Sequence, residues 1–339
     1  MHVISPSTAS VHRIGRPRAW EGLCFDCRVP RRSVHKSAAG EVLLSDAVRL
    51  GDERFAVAAS WHRDHFLAHL GGHASDPVLL AETVRQAAIY LSHRFHGVPY
   101  GHPFVLGGLA VDLDEPLPGM VSGPLALRLE ASCRRREERG RVALGLDVVV
   151  HTEDRPLGRA RVHWSVMEAR RYAVLRKRGA VDRDSVPVLD DAGIVALPPA
   201  SVGQRYDRDV LLAADAERLE GWWLRLDHGH PVLFDHPSDH IPGMALVEAF
   251  RQAARAAVAD HGPDPLGAQR RLESLSVTFS SFGELDLPVF LTAEPADDQG
   301  TARGNVLLLR AVQGNRELAH ARMGYAVGHD AGLRGDAAC

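Results

Sequence analysis

Two stretches of the chain place apolar residues around nearly the whole circumference of a helix. In the first, Val78, Leu79, Leu80, Ala81, Val84, Ala87, Ala88, Ile89 and Leu91 leave almost no polar face. In the second, Met244, Ala245, Leu246, Val247, Ala249, Phe250, Ala253 and Ala254 do the same. Such helices must be enclosed by protein rather than laid on a surface. Each opens on helix-start chemistry, Asp76-Pro77 in one and Asp239 followed by Pro242 in the other, because proline's fixed φ and missing donor suit a first turn. Short segments rich in Val, Leu and aromatics alternate with period two around them. In the first half these are 54–61, 104–113, 125–131, 142–150 and 159–166, and in the second 221–227, 272–280, 287–293, 304–312 and 317–327.

The two halves repeat each other. Both helices carry Glu-x-x-Arg-Gln-Ala-Ala, at Glu82 and at Glu248, and the segments 41–46 and 209–215 precede them at nearly the same offset. One apolar helix per half has no second helix to share its burial with. The economical solution is a curved antiparallel sheet wrapped around it, an α+β tandem (double) hotdog. The predicted organisation is an N-terminal extension 1–30, a first domain 31–166, a linker 167–204, a second domain 205–330 and a tail 331–339. The linker shows no sustained periodicity; its basic run Arg170–Arg178 either meets an acidic carrier protein or is a solvated face. A second basic run, Arg134–Arg139, is expected at the tip of a hairpin.

Composition narrows the classes. The 339 residues suit two domains of roughly 150 each. With 45% hydrophobic and 24% charged residues, the chain is expected to fold. Forty Lys plus Arg against 43 Asp plus Glu leave a net charge of −3, with no basic field for nucleic acid and no helix-turn-helix signature. No apolar run reaches ~18 residues and the first twenty lack a secretory core, so no membrane association and a cytoplasmic location are expected. Cysteines 24, 27, 133 and 339 are too few for a disulfide framework, and Cys24 and Cys27 lack a second ligand pair, so no metal is expected.

Polar residues on these apolar helices are the candidate chemistry. Glu82 with Arg85 and Gln86, and Glu248 with Arg251 and Gln252, each share one helix face. A carboxylate in an apolar enclosure gains proton affinity unless a partner offsets it, so Glu248 and Glu82 are the expected catalytic bases; a structural ion pair is the competing reading. His236 and His240 lie in the loop feeding the second helix, and His65, His69 and His73 in the equivalent place of the first. Helix amino termini near Pro77 and Gly243 offer unpaired amides to an oxyanion.

The run Phe234–Ala254 resembles the A-factor biosynthesis repeat, and Pro242–Gln252 within it is similar to the helix of hotdog dehydratases that act on acyl carrier protein thioesters. Val34-His35-Lys36, Asp76–Gln86 and Gly97–Phe104 look like the first repeat of the same family. The resemblance implies that a β-ketoacyl thioester on an acyl carrier protein is attacked by a hydroxyl of dihydroxyacetone phosphate. It favours His236 and His240 as catalytic residues beside the candidate bases Glu248 and Glu82. Arg85, Gln86, Arg251, Gln252, Gly243, Asp239, His73, Asp76 and His102 are the expected substrate contacts. No cofactor is expected beyond the phosphopantetheine that the carrier protein brings. The protein is then an internal pseudo-dimer, alone or as a homodimer. Dehydration or hydrolysis of an acyl thioester, and non-catalytic binding of an acyl lactone, remain the alternatives.

Overall fold

The computed structural model describes residues 22–67, 75–120, 123–138, 141–152, 155–189, 193–260, 270–296 and 306–327. Helix α1 spans Pro77–Phe95. The Asp76 side chain caps it by accepting from the amide of Val78 at 2.9 Å, and proline follows at the first position. Val78 through Ala81, Val84, Ala87 and Leu91 are all buried, each large aliphatic side chain contributing roughly 1.5–3 kcal/mol of transfer free energy. Helix α3, Gly243–Asp260, is enclosed in the same way through Ala245, Val247, Ala249, Phe250, Ala253 and Ala254.

The enclosing wall is one antiparallel sheet. Strands β1 (Leu44–Arg49), β2 (Arg54–Trp61), β3 (Phe104–Leu113), β4 (Leu125–Glu138), β5 (Arg141–Thr152) and β6 (Arg155–Val166) belong to the first half. The second half supplies β8 (Leu212–Asp215), β9 (Arg218–Leu224), β10 (Arg270–Phe279), β11 (Phe290–Pro295), β12 (Val306–Gln313) and β13 (Arg316–Val327). A short strand β7, Ile194–Ala196, adds to the edge beside β8. The order β1-β2-β4-β5-β6-β3-β10-β13-β12-β11-β9-β8-β7 reads alike from both sides of its seam, so duplication has produced a pseudo-twofold. At that seam β3 pairs with β10, with Leu109 opposite Val277 and Ala110 opposite Ser276. Alternation along β6 shows how strands bury one face: Ala160, Val162 and Trp164 are buried and Arg159, Arg161 and His163 exposed.

The linker departs from expectation. Its basic run folds as helix α2, Ala169–Arg178, none of whose residues is buried. Ala, Arg, Leu and Lys are intrinsic helix formers, and a helix that buries nothing needs no periodicity to be one. Of the run Arg134–Arg139, residues 134–138 form the last part of β4, paired with 141–145 of β5, and Arg139 lies outside the described residues. No helix among the described residues is long and apolar enough to cross a membrane.

Candidate active site

A cleft of about 920 Å³ opens where the two halves meet. Its polar floor comes from the first half: His35, Lys36, Glu82 and Arg85. The facing lip, Asp235 to Gly243, comes from the second, and Tyr172 and Leu175 of α2 border it. Phe104, Leu106, Met167, Val232, Phe279 and Phe282 give it apolar walls. Neither half alone supplies both floor and lip.

Glu82 is fully buried and holds the floor together. Its carboxylate accepts from Arg85 Nε at 2.7 Å and Nη2 at 2.8 Å, and lies 3.2 Å from Lys36 Nζ. Burial pushes the carboxyl's proton affinity up, but the charges of Arg85 and Lys36 and hydrogen bonds from Arg85 and Gln86 overcome it, leaving the group far below the usual carboxylate range. Glu82 is therefore a fixed anion that orients two cations. Both of its oxygens are already engaged, Oε2 by Arg85 and Oε1 by Arg85, Lys36 and Gln86.

His35 stands beside this cluster in the left-handed backbone region, φ 54°, the one non-glycine residue with positive φ among those described. Its Nε2 lies 2.9 Å from Nε2 of His93, and its ring packs edge-on to Phe104. Burial, then His93, Arg85 and His236, depress its proton affinity from 6.5 to about 3. Sequence reasoning tied His35 and Lys36 to a family motif without giving them a role, and passed over His93 and Tyr172. Forty-six residues of sequence separate Lys36 from Glu82, and no helix or strand period spans that distance.

The second half repeats the frame but not the floor. Gln86 donates to the carbonyl of Glu41 and to Glu82 while accepting from the amide of Leu43; Gln252 does the same with Asp209, Glu248 and Leu211. Both amides are saturated, so these expected substrate contacts are staples that pin the strand entry to the helix. The matching bonds also fix what is equivalent: His35 corresponds to Gly203, which holds the same left-handed turn at φ 71°, and Lys36 to Gln204. Gln204 donates to Glu248 at 2.7 Å where Lys36 meets Glu82. Arg251 takes both oxygens of Glu248 and reaches the carbonyl of Val202. Neither Glu248 nor Arg251 lines the cleft. The expectation that Glu248 opens onto an acyl-sized cavity is not met at this cleft, and its carboxylate is engaged by Arg251, Gln204 and Gln252.

The other expected residues divide. His236 faces Lys36 and Arg85 across the cleft; burial and those two cations lower its proton affinity against the pull of Asp235 and Glu82. His240 bonds Asp239 at 2.7 Å, and Tyr172 donates to Asp239 at 2.8 Å, so α2 steadies this lip. Gly243 and His102 line the cleft. A Cβ at Gly243 would meet Leu106 and Phe279 at 3.4 Å, ordinary contact. Asp76 is no substrate contact: its carboxylate caps α1 and accepts from the amide of Phe66. His65 bonds its neighbour Asp64 and is not at the cleft, and His69 and His73 lie outside the described residues.

Two buried helices sleeved by one continuous sheet, with a cleft where the halves meet, define a tandem hotdog protein. A putative thioesterase from Novosphingobium aromaticivorans shares the fold at a TM-score of 0.50 and 13% identity, over 84% of this chain and 98% of that one. The chain belongs to the A-factor biosynthesis hotdog domain family, whose model matches residues 23–168 and 187–327. It is 36% identical to a 2-oxo-3-(phosphooxy)propyl 3-oxoalkanoate synthase of Streptomyces virginiae, over 80% of this chain and 90% of the relative. A synthase of the same name from Streptomyces coelicolor is 34% identical over 78% and 81% of the two chains.

Proposed function

We propose that the protein is an acyltransferase that moves a 3-oxoacyl group from an acyl carrier protein thioester to a hydroxyl of dihydroxyacetone phosphate. The product is then the 2-oxo-3-(phosphooxy)propyl ester for which the relatives are named. The observation that carries the reading is the Lys36–Glu82–Arg85 cluster: two desolvated cations, held by one anion, at the bottom of an apolar-walled cleft. Such cations bind a phosphate through charge-assisted hydrogen bonds far more strongly than they would in water, and the apolar walls accept the acyl chain.

In this scheme Arg85 and Lys36 hold the phosphate and so place the acceptor hydroxyl. The first-turn amides of Gly243 and Met244, which helix geometry leaves without intrahelical partners, face the thioester oxygen as charge develops on it. His236, on the lip facing both cations, passes on to the departing thiolate the proton released by the hydroxyl. The carboxylates organise rather than react, which leaves the hydroxyl proton to an imidazole on the cleft wall. The carrier protein approaches along α2, and its phosphopantetheine arm enters beside Tyr172.

The test is direct. Purified protein is mixed with a 3-oxoacyl carrier thioester and dihydroxyacetone phosphate, and the products are read by mass spectrometry. One phosphorylated ester per free thiol is expected. A free 3-oxo acid, an enoyl thioester, or no turnover at all overturns the reading.

A further inference from the structure

His35, on the cleft, and His93, packed against it, share a hydrogen bond whose protons are fixed by geometry. Nδ1 of His93 lies 2.8 Å from the carbonyl oxygen of Val98, which can only accept, so that nitrogen carries the proton. Burial keeps His93 neutral, and its Nε2 is then a lone pair. Nε2 of His35, 2.9 Å away, must donate to it. The remaining nitrogen of His35, Nδ1, is left unprotonated and bears no hydrogen bond among the described residues. Tyr100 stacks on His93 at 4.4 Å and Phe104 packs against both rings, so the pair is held in place.

We propose that His35 is the catalytic residue that takes the hydroxyl proton, and that His93 is a positioning residue that sets its tautomer. This rests on the acyl-transfer reading above. As the acceptor oxygen bonds to the thioester carbon, its proton passes to Nδ1 of His35. The C–S bond then breaks and the thiolate leaves with a proton drawn from the imidazoles, so that ester and thiol are the only products. The titratable and charged groups facing His35 are His93 and Arg85 on α1 and His236 on the lip. A phosphate paired with Arg85 offsets one of these repulsions, so the bound acceptor itself strengthens the base. The left-handed backbone at His35 fits this role, since strain of that kind is retained where a side chain must be aimed. In the second half the same turn is Gly203, and the helix position matching His93 is Ala259.

His35→Gly is the informative variant, because Gly203 shows that this turn tolerates glycine. Its kcat for ester formation is expected to fall by about 100-fold or more in protein that still folds, and added imidazole to restore part of the rate. His93→Leu should lose kcat with KM for the phosphate little changed, and His93→Gln, whose carboxamide oxygen accepts the same bond, should recover much of it. Nitrogen-15 shifts of the free protein should report a proton on Nε2 of His35. An undiminished kcat in His35→Gly, or a proton on Nδ1, overturns the assignment while ester formation by the unaltered protein leaves the acyl-transfer reading standing. No ester from the unaltered protein overturns both.

Discussion

At the scale of single residues, the two repeated glutamates have parted company. Both are fully buried and both bind the arginine three positions on, yet only Glu82 borders the cleft. Glu248→Gln is therefore expected to cost about 3 kcal/mol of stability, because it leaves Arg251 as an uncompensated buried cation. Urea unfolding measures the loss, and kcat of the folded enzyme should stay within about threefold of the parent. The repeat itself was legible, since Glu-x-x-Arg-Gln recurs on two apolar helices. Which copy meets the cleft was not, because that depends on residues 35–36 and 203–204, brought to the helices only by the fold. His35 offers a second test through pH. Folding lowers its proton affinity from 6.5 to about 3, so the unfolded chain takes up the proton first. The stability contributed by the neutral ring is complete above 6.5 and is lost as pH falls toward 3. Glu82 acts in the same direction below its ordinary value of 4.5, so the comparison belongs above that pH. Between those limits His35→Gly should lose stability less steeply than the parent, by at most about 1.4 kcal/mol per pH unit, the ceiling for one proton.

At the scale of elements, burial decided what could be read. Strand β2 was predicted residue for residue because Phe55 to Trp61 are buried, and β3 because Val111 and Leu113 alternate with Asp112 beneath the sheet. Strands β4 and β5 run past their predicted ends into a hairpin whose residues 134–137 are all exposed, where period two fades. Helix α2 had no pattern to find, for nothing on it is buried. That exposure is also its opportunity. Val174 is 50% and Leu175 39% exposed, with Arg170, Lys177 and Arg178 around them, at the border of the cleft. Arg176 is spoken for by Asp239 and Glu284 and anchors the helix to the second half. An acidic carrier protein docking here gains affinity chiefly through its rate of encounter. The triple variant Arg170→Glu, Lys177→Glu, Arg178→Glu should raise KM for the carrier-bound thioester by about tenfold at low salt, with the difference shrinking as salt rises. A pantetheine thioester, which has no carrier to dock, should react equally well with both proteins. Equal loss on both substrates would remove α2 from recognition.

At the scale of the whole molecule, a pseudo-twofold sheet carries an asymmetric site. The frame is repeated closely: each helix is stapled to its strand entry by one glutamine, and a left-handed residue ends the short turn that meets it. Symmetry is broken at the positions that bear charge or titrate. Lys36 becomes Gln204, His35 becomes Gly203, and His93 becomes Ala259 in sequence. Among the described residues the first station sets both Lys36 and Arg85 on its glutamate, whereas at the second Gln204 stands in the lysine's place beside Arg251. A duplicated chain gains from this division, because one station can keep a strained, desolvated site while the other spends the same residues on stability. A chain is therefore expected to bind one phosphorylated acceptor, not two. Calorimetric titration with dihydroxyacetone phosphate should saturate at one equivalent per chain. Lys36→Met, which removes a cation only from the first station, should weaken that binding by about tenfold or more, the loss of one charge-assisted contact. Gln204→Met, at the matching place, should leave affinity and stoichiometry as they were. Two equivalents per chain, or equal sensitivity to both substitutions, would mean that the second station also takes a phosphate and that the broken symmetry has another cause.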